Sequence, residues 1–318
     1  MKQLGIILAF AFLFSCNKSQ DIIQVDIVET GTNHILRSIC FVDDSIGYIV
    51  GGALYDEGIL LKTIDRGNSW KLINNSLNGG AFGINFTDEK HGLVSAWPSR
   101  IYRTDDGGNT FQLFDGILDN IMRTPVFIDS LKCIAGSGIG FESGFLWRSA
   151  DGGKSWTSDT FNRSINAVVM QNEKDGFIAS YGLIFKTSDG GKTWISTDSK
   201  GDNWMNVSFP SYNTGFAVGY EGKIIKTTNH GDSWTTLVGG NNIISNSGQW
   251  TNARFVSENR GYLIGFDGNM KYTNDGGFSW TNIDLFEKNN LRDIWMFNKS
   301  EGIIIGDMGK VYKVQFNL

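Results

Sequence analysis

Thr187-Ser188-Asp189-Gly190-Gly191-Lys192-Thr193-Trp194 is the stretch from which the architecture of this chain can be worked out. It follows the apolar run Leu183-Ile184-Phe185, and its residue types are those of a tight turn between two strands. A short carboxylate such as Asp189 accepts hydrogen bonds from the N–H groups of its own turn. Gly190 and Gly191 supply backbone conformations that residues with side chains resist. Trp194 then opens the next strand with a large ring to bury.

The spacing Ser/Thr-x-Asp-x-Gly-x-Ser/Thr-aromatic recurs at Thr63 to Trp70, Thr104 to Phe111, Ser149 to Trp156, Thr227 to Trp234 and Thr273 to Trp280. Asn229 takes the Asp place in the fifth copy and Phe111 the Trp place in the second. Counted from Asp65, Asp106, Asp151, Asp189, Asn229 and Asp275, the steps are 41, 45, 38, 40 and 46 residues. A period of about 40–50 residues with several strands per unit marks a propeller or a similar array. Each octet is a local turn device, so its Asp and aromatic residues are read as structural.

Each unit reads as four short strands. Inner strands with apolar residues at alternate positions fall near 36–41, 81–86, 122–127, 165–170, 204–209, 250–255 and 291–296, which makes seven units. Second strands such as Gly176-Phe-Ile-Ala-Ser180 are apolar throughout, as sheets buried on both faces require. The seventh unit ends with its third strand and has no octet. Asp21 to Val28 is a strand without partners of its own, and it is expected to supply the missing fourth strand, with Ile23, Val25 and Ile27 on one buried face. The expected fold is therefore an all-β, seven-bladed β-propeller over residues 21–318, closed by its N-terminal strand. Aromatics at 13%, with 40 glycines and only 3 prolines, suit many tight turns. With 28 basic residues against 33 acidic ones, no basic excess argues for nucleic acid.

Residues 1–15 read as an export signal: Met1-Lys2 gives the positive start and Gly5 to Phe14 a short apolar core. Leu13-Phe14-Ser15-Cys16 resembles a bacterial lipobox, which implies that Cys16 becomes the lipidated first residue and that residues 16–20 are a tether. The expectation is an exported lipoprotein anchored at the outer membrane, on its periplasmic side or at the cell surface. Cys40 and Cys133 remain, on strands of different units, and are expected to be buried free thiols. His34, His91 and His230 are scattered, and no metal site or cofactor is expected.

Six such octets, with endings of the form Lys-Thr-x-Asp-Gly-Gly-x-Thr-Trp, resemble the Asp-box (BNR-repeat) propellers. Within these the chain is most similar to the photosystem II stability/assembly factor-like group, over essentially residues 21–318. That resemblance implies a non-enzymatic propeller that binds a protein partner during assembly of a membrane complex. Sialidases and sortilin-type receptors share the octet, so the octet does not choose among them.

Departures from the repeat point to a site. The connections between second and third strands are long in units one to three, Ala53 to Gly58, Trp97 to Arg100 and Ser137 to Gly144, and tight in units four to seven. They share one face with the connections into each inner strand, of which 239–249 is the longest; the octets lie on the other face. Arg37, Arg123 and Arg292 hold equivalent places at the start of inner strands, and units seven and one are neighbours in a closed ring. Two readings stand: each arginine pairs with a carboxylate such as Asp56, Glu57, Glu142 or Asp307, or together they hold a carboxylate or an acidic peptide end. Tyr55, Trp97 and Phe141 add amphipathic contact surface. Partner binding is therefore assigned to Arg37, Arg123, Arg292, Tyr55, Trp97 and Phe141.

The alternative is a glycan-binding protein or a sialidase-like glycoside hydrolase. Sialidases hold a substrate carboxylate with three arginines, and other glycosidases use two carboxylates about 5–9.5 Å apart. The chain lacks the Arg-Ile/Leu-Pro signature of sialidases and counts seven units where those have six, so no catalysis is expected.

Overall fold

The computed structural model describes residues 23–116, 118, 120–199, 201–240, 249–285 and 287–317. The export signal, Cys16, the tether and most of the 239–249 connection lie outside the described residues.

Seven four-stranded antiparallel sheets form the blades. Their inner strands are β2 (Leu36–Phe41), β6 (Ala81–Phe86), β10 (Ile121–Phe127), β14 (Ile165–Met170), β18 (Trp204–Ser208), β22 (Trp250–Phe255) and β26 (Leu291–Met296). These match the seven predicted segments to within a residue. Six blades run outward in chain order. The seventh has the order β1-β28-β27-β26, where β1 is Ile23–Val28, β27 is Glu301–Gly306 and β28 is Val311–Phe316. The first and last strands of the ring therefore share one sheet, and the array has no open end.

Burial is greatest in the second strand of each blade and falls toward the rim. The second strands Gly176–Ser180 and Gly215–Gly219 are buried at every position, whereas the fourth strand Thr157–Thr160 is exposed throughout. Among the described residues the core divides into seven clusters, each shared by two neighbouring blades. Phe216 and Phe255 stack at 3.5 Å between blades five and six, and Tyr48 and Phe86 at 3.9 Å between one and two. At the junction of blades seven and one, Ile303, Ile305 and Val311 pack with Leu36, Ile39 and Ile49.

The octets fold as the sequence predicts, with a further role that it hides. In the fourth copy Thr187 Oγ1 donates to Asp189 at 2.8 Å and accepts the Gly191 N–H at 3.0 Å. Asp189 accepts the N–H of Thr193 at 2.9 Å and its hydroxyl at 2.6 Å. These bonds from Thr193 hold the Asp189 pKa at about 2. Asn229 keeps the pattern without a charge, accepting from Thr227 Oγ1 and the Ser233 N–H. Gly191, at φ +77°, needs a glycine for its conformation and for its neighbour: a Cβ there would stand 2.2 Å from Cδ1 of Ile134, in the preceding blade. Gly67 meets Ile303 and Gly108 meets Leu60 in the same way. The turn is thus also a contact between blades.

One expectation is corrected. β1 pairs with β28 as expected, with Val25 opposite Val314, but it does not bury Ile27, which is 43% exposed. Val25 packs toward blade six and Val28 toward blade one, so the strand uses both faces in part. Outer strands lie farthest from the axis, where neighbouring blades diverge, and one apolar face cannot be fully covered there. The free thiols fit their expectation: Cys40 and Cys133 are buried, and burial pushes both pKa values up to about 12.

Candidate partner-binding face

The second residue of the inner strand, or in β10 the third, builds the mouth of the ring on the face away from the octets. Its side chain donates to the carbonyl of the first residue in the next inner strand. Arg37 Nη1 reaches Ala81 O at 3.4 Å, Arg123 Nη1 reaches Ile165 O at 3.3 Å, Asn166 reaches Trp204 O at 2.8 Å and Thr251 reaches Leu291 O at 2.7 Å. Arg37 also donates to Gly52 O at 2.7 Å and Arg123 to Gly138 O at 3.3 Å, each in its own blade. These arginines therefore tie each blade to the next.

Of the carboxylates proposed as partners, only Asp307 is bonded to one of the three arginines. Arg292 grips it through Nε at 2.7 Å and Nη2 at 2.9 Å. Burial opposes ionisation of Asp307, yet Arg292 and Asn290 hold its pKa below the usual value. Arg37 and Arg123 are satisfied by carbonyl oxygens instead, because the close approach of neighbouring inner strands turns backbone acceptors toward them. Burial lowers the pKa of each to about 10, and for Arg37 the nearby Arg292 adds to the effect. Arg37 and Arg292 thus share one side of the mouth, while Arg123 responds to burial alone.

The aromatic residues give the more open feature. Tyr55 is 78% exposed and meets Trp97 edge to face at 5.6 Å, joining blades one and two. Phe141, 59% exposed, lies 4.5 Å from Tyr181 and joins blades three and four. Tyr220 meets Phe266 at 6.1 Å, joining blades five and six. Three aromatic pairs thus span alternate junctions of one face. Sequence reasoning found Tyr55, Trp97 and Phe141 but missed Tyr181, Tyr220 and Phe266, which sit in the short turns. A signal was present: Trp97, Tyr181, Tyr220 and Phe266 each follow directly on the last residue of a second strand. Arg37 lies 4.6 Å above the Phe82 ring and Arg292 5.3 Å above Phe266, which joins the cationic and aromatic parts of the face.

No family model matches the sequence, and no curated protein does. Solved structures match it in shape. The chain is similar to YCF48 bound to D1 peptide, with a TM-score of 0.72 and 18% identity over 92% of this chain and 97% of that one. It is similar to YCF48 from Cyanidioschyzon merolae, with a TM-score of 0.69 and 17% identity over 92% and 98% of the two chains. The GH74 xyloglucanase from Xanthomonas campestris gives a TM-score of 0.68 at 12% identity, over 92% of this chain and 53% of that one. At these identities the likeness is one of fold: the protein is a seven-bladed β-propeller of the shape seen in YCF48.

Proposed function

We propose that this protein is a non-enzymatic binding scaffold that takes a segment of a protein partner on the face away from the octets. The observation that carries this reading is the set of three aromatic pairs spanning that face, each with one exposed ring, Tyr55, Phe141 and Tyr220. Aromatic side chains offer large contact areas with little flexibility to lose, and monomeric surfaces seldom expose them in groups. Arg37 and Arg292 at the mouth favour a partner segment with acidic groups. The similarity to a YCF48 structure bound to a peptide supports the same reading. We further propose that the octets are Asp-box turns and that residues 21–318 are one domain. In this reading Cys16 carries a lipid anchor that holds the propeller at the outer membrane beside a membrane complex.

A photo-crosslinking residue at position 55, 97 or 141 should capture one partner in intact cells, and one at Lys192 on the octet face should not. Capture from the octet face alone would overturn the assignment. Cys16→Ser should leave the chain unanchored in detergent-phase partitioning, and equal retention would remove the lipid anchor. Turnover of a polysaccharide or an aryl sialoside that is lost in Glu142→Gln, Glu221→Gln or Asp267→Asn would replace the scaffold with the glycosidase reading.

A further inference from the structure

The chain enters its ring on the octet face. In each of blades one to six an octet N–H donates to the turn between first and second strands, as Gly190 does to Lys174 O at 2.9 Å and Gly276 to Asn259 O at 2.9 Å. Blade seven has no octet, and there the Phe316 N–H donates to Ser300 O at 2.7 Å in the same place. Phe316 thus ends β28 on the octet face. Ile23 stands opposite Phe316, so β1, the outermost strand of blade seven, begins on that face and at the rim. Seven residues lead from Cys16 to Ile23, and a chain of that length spans at most about 25 Å.

The octets on either side of this entry depart from the other four. Their second place is Ile64 in blade one, where the other copies have Asp, Ala, Ser, Thr or Asn. Their sixth place is Phe278 in blade six, where the other copies have Asn, Lys or Asp. Ile64 is 73% exposed and Phe278 74%, and among the described residues no other octet exposes a large apolar side chain. Neither makes the contact of its turn with the preceding blade, which runs from Gly67 to Ile303 and from Gly277 to Leu237. Lys226 Nζ stands 5.6 Å from the Phe278 centroid, the mixture of basic and apolar groups that suits an interface with lipid headgroups. Exposed apolar residues scattered singly need no explanation. These two share one face, in the first and last octets, with the entry of the chain in the blade between them.

We propose that the octet face around blade seven docks on the lipid surface that holds the anchor, with Ile64 and Phe278 entering the headgroup layer. This rests on the lipid proposed for Cys16. The tether brings the bilayer within about 25 Å of the start of β1. A tether alone leaves the propeller free to turn, and the two apolar side chains fix which face meets the lipid. The aromatic pairs lie on the opposite face and are turned away from the bilayer, so the segment they take comes from a part of the partner that stands clear of it.

The test uses the full chain purified from membranes with its anchor, on vesicles of phosphatidylethanolamine with phosphatidylglycerol. A photo-crosslinking residue at position 64 or 278 should attach to phospholipid, and one at position 55 should not. In the wild-type chain the backbone N–H groups of 64–69 and 274–279 should exchange more slowly on vesicles than in the Cys16→Ser chain free in solution, a readout that needs no variant on the docking face. Those of 53–58 should exchange equally in both. Ile64→Ser with Phe278→Ser should abolish the slowing and leave the melting temperature near that of wild type. A chain whose intact mass shows no lipid on Cys16 overturns the anchor and the docking together. A lipidated chain that captures phospholipid as often from position 55, or from neither 64 nor 278, overturns the docking alone.

Discussion

The Asp293 carboxylate of blade seven accepts the backbone N–H of Ile39 in blade one at 3.0 Å, across the junction where the chain closes its ring. Every inner strand except β10 shares the irregularity that makes such a contact useful: its register shifts between the first and third residues. In blade one this shift places the Ile39 N–H where the preceding blade can bond it. Thr124 does the same for the Val168 N–H at 3.2 Å, without a charge.

Burial pushes the Asp293 pKa up to about 6 from an ordinary 3.8. An acid raised on folding stabilises the fold while protonated. That contribution is complete below the unfolded value and is lost as pH rises through the folded one. Wild-type protein should therefore lose melting temperature between about pH 4 and pH 7 relative to Asp293→Asn, which keeps an acceptor but does not ionise. Parallel curves for the two proteins would show that Asp293 does not titrate in this window.

The octet acids act with the opposite sign. Bonds from Thr193 and Ser279 hold Asp189 and Asp275 at about 2, so their contribution is present above the unfolded value and lost as pH falls through about 2. Asp189→Asn should reproduce the uncharged fifth copy and flatten the acid limb of the melting curve. An unchanged acid limb would mean that the turn survives protonation.

Gly191→Ala should destabilise the protein by about 1–3 kcal/mol, since it combines a left-handed backbone with a Cβ driven into Ile134. Gly31→Ala is the matched control, at φ +73° with nothing within 4 Å of the added carbon. A loss at position 31 equal to that at 191, measured by denaturant unfolding, would show that strain alone matters and that the contact between blades is slack.

Removal of residues 23–28 should lower the melting temperature and promote aggregation. Val25 and Val28 are each half-buried, worth about 1 kcal/mol apiece, and the whole edge of β28 would lose its partner. Melting at the temperature of the intact chain would mean that the ring holds without its closing strand.

Arg123→Ala should cost about 1–3 kcal/mol of stability whatever it does to binding, because its bonds join blades three and four. Tyr55→Ala with Trp97→Ala should leave the melting temperature near that of wild type and weaken partner binding by about tenfold or more. Binding that survives loss of the aromatic pair would move the partner off this face.

Much of the fold was legible because the repeat is local: an Asp two residues after a Thr and four before a Ser or Thr closes the same turn wherever it occurs. Alternation along Leu36–Phe41 and continuity along Gly176–Ser180 then separate the half-covered inner strand from the doubly covered second one. The roles of Arg37 and Arg123 were not legible, since their partners are carbonyl oxygens of the next blade, and a carbonyl has no signature in sequence. Nor was the pairing of Tyr220 with Phe266, which are 46 residues apart in the chain and meet only because two blades stand side by side. Turn chemistry and strand period are set by neighbours along the chain. Which side chains find their partners in the next blade is set by the angle between blades.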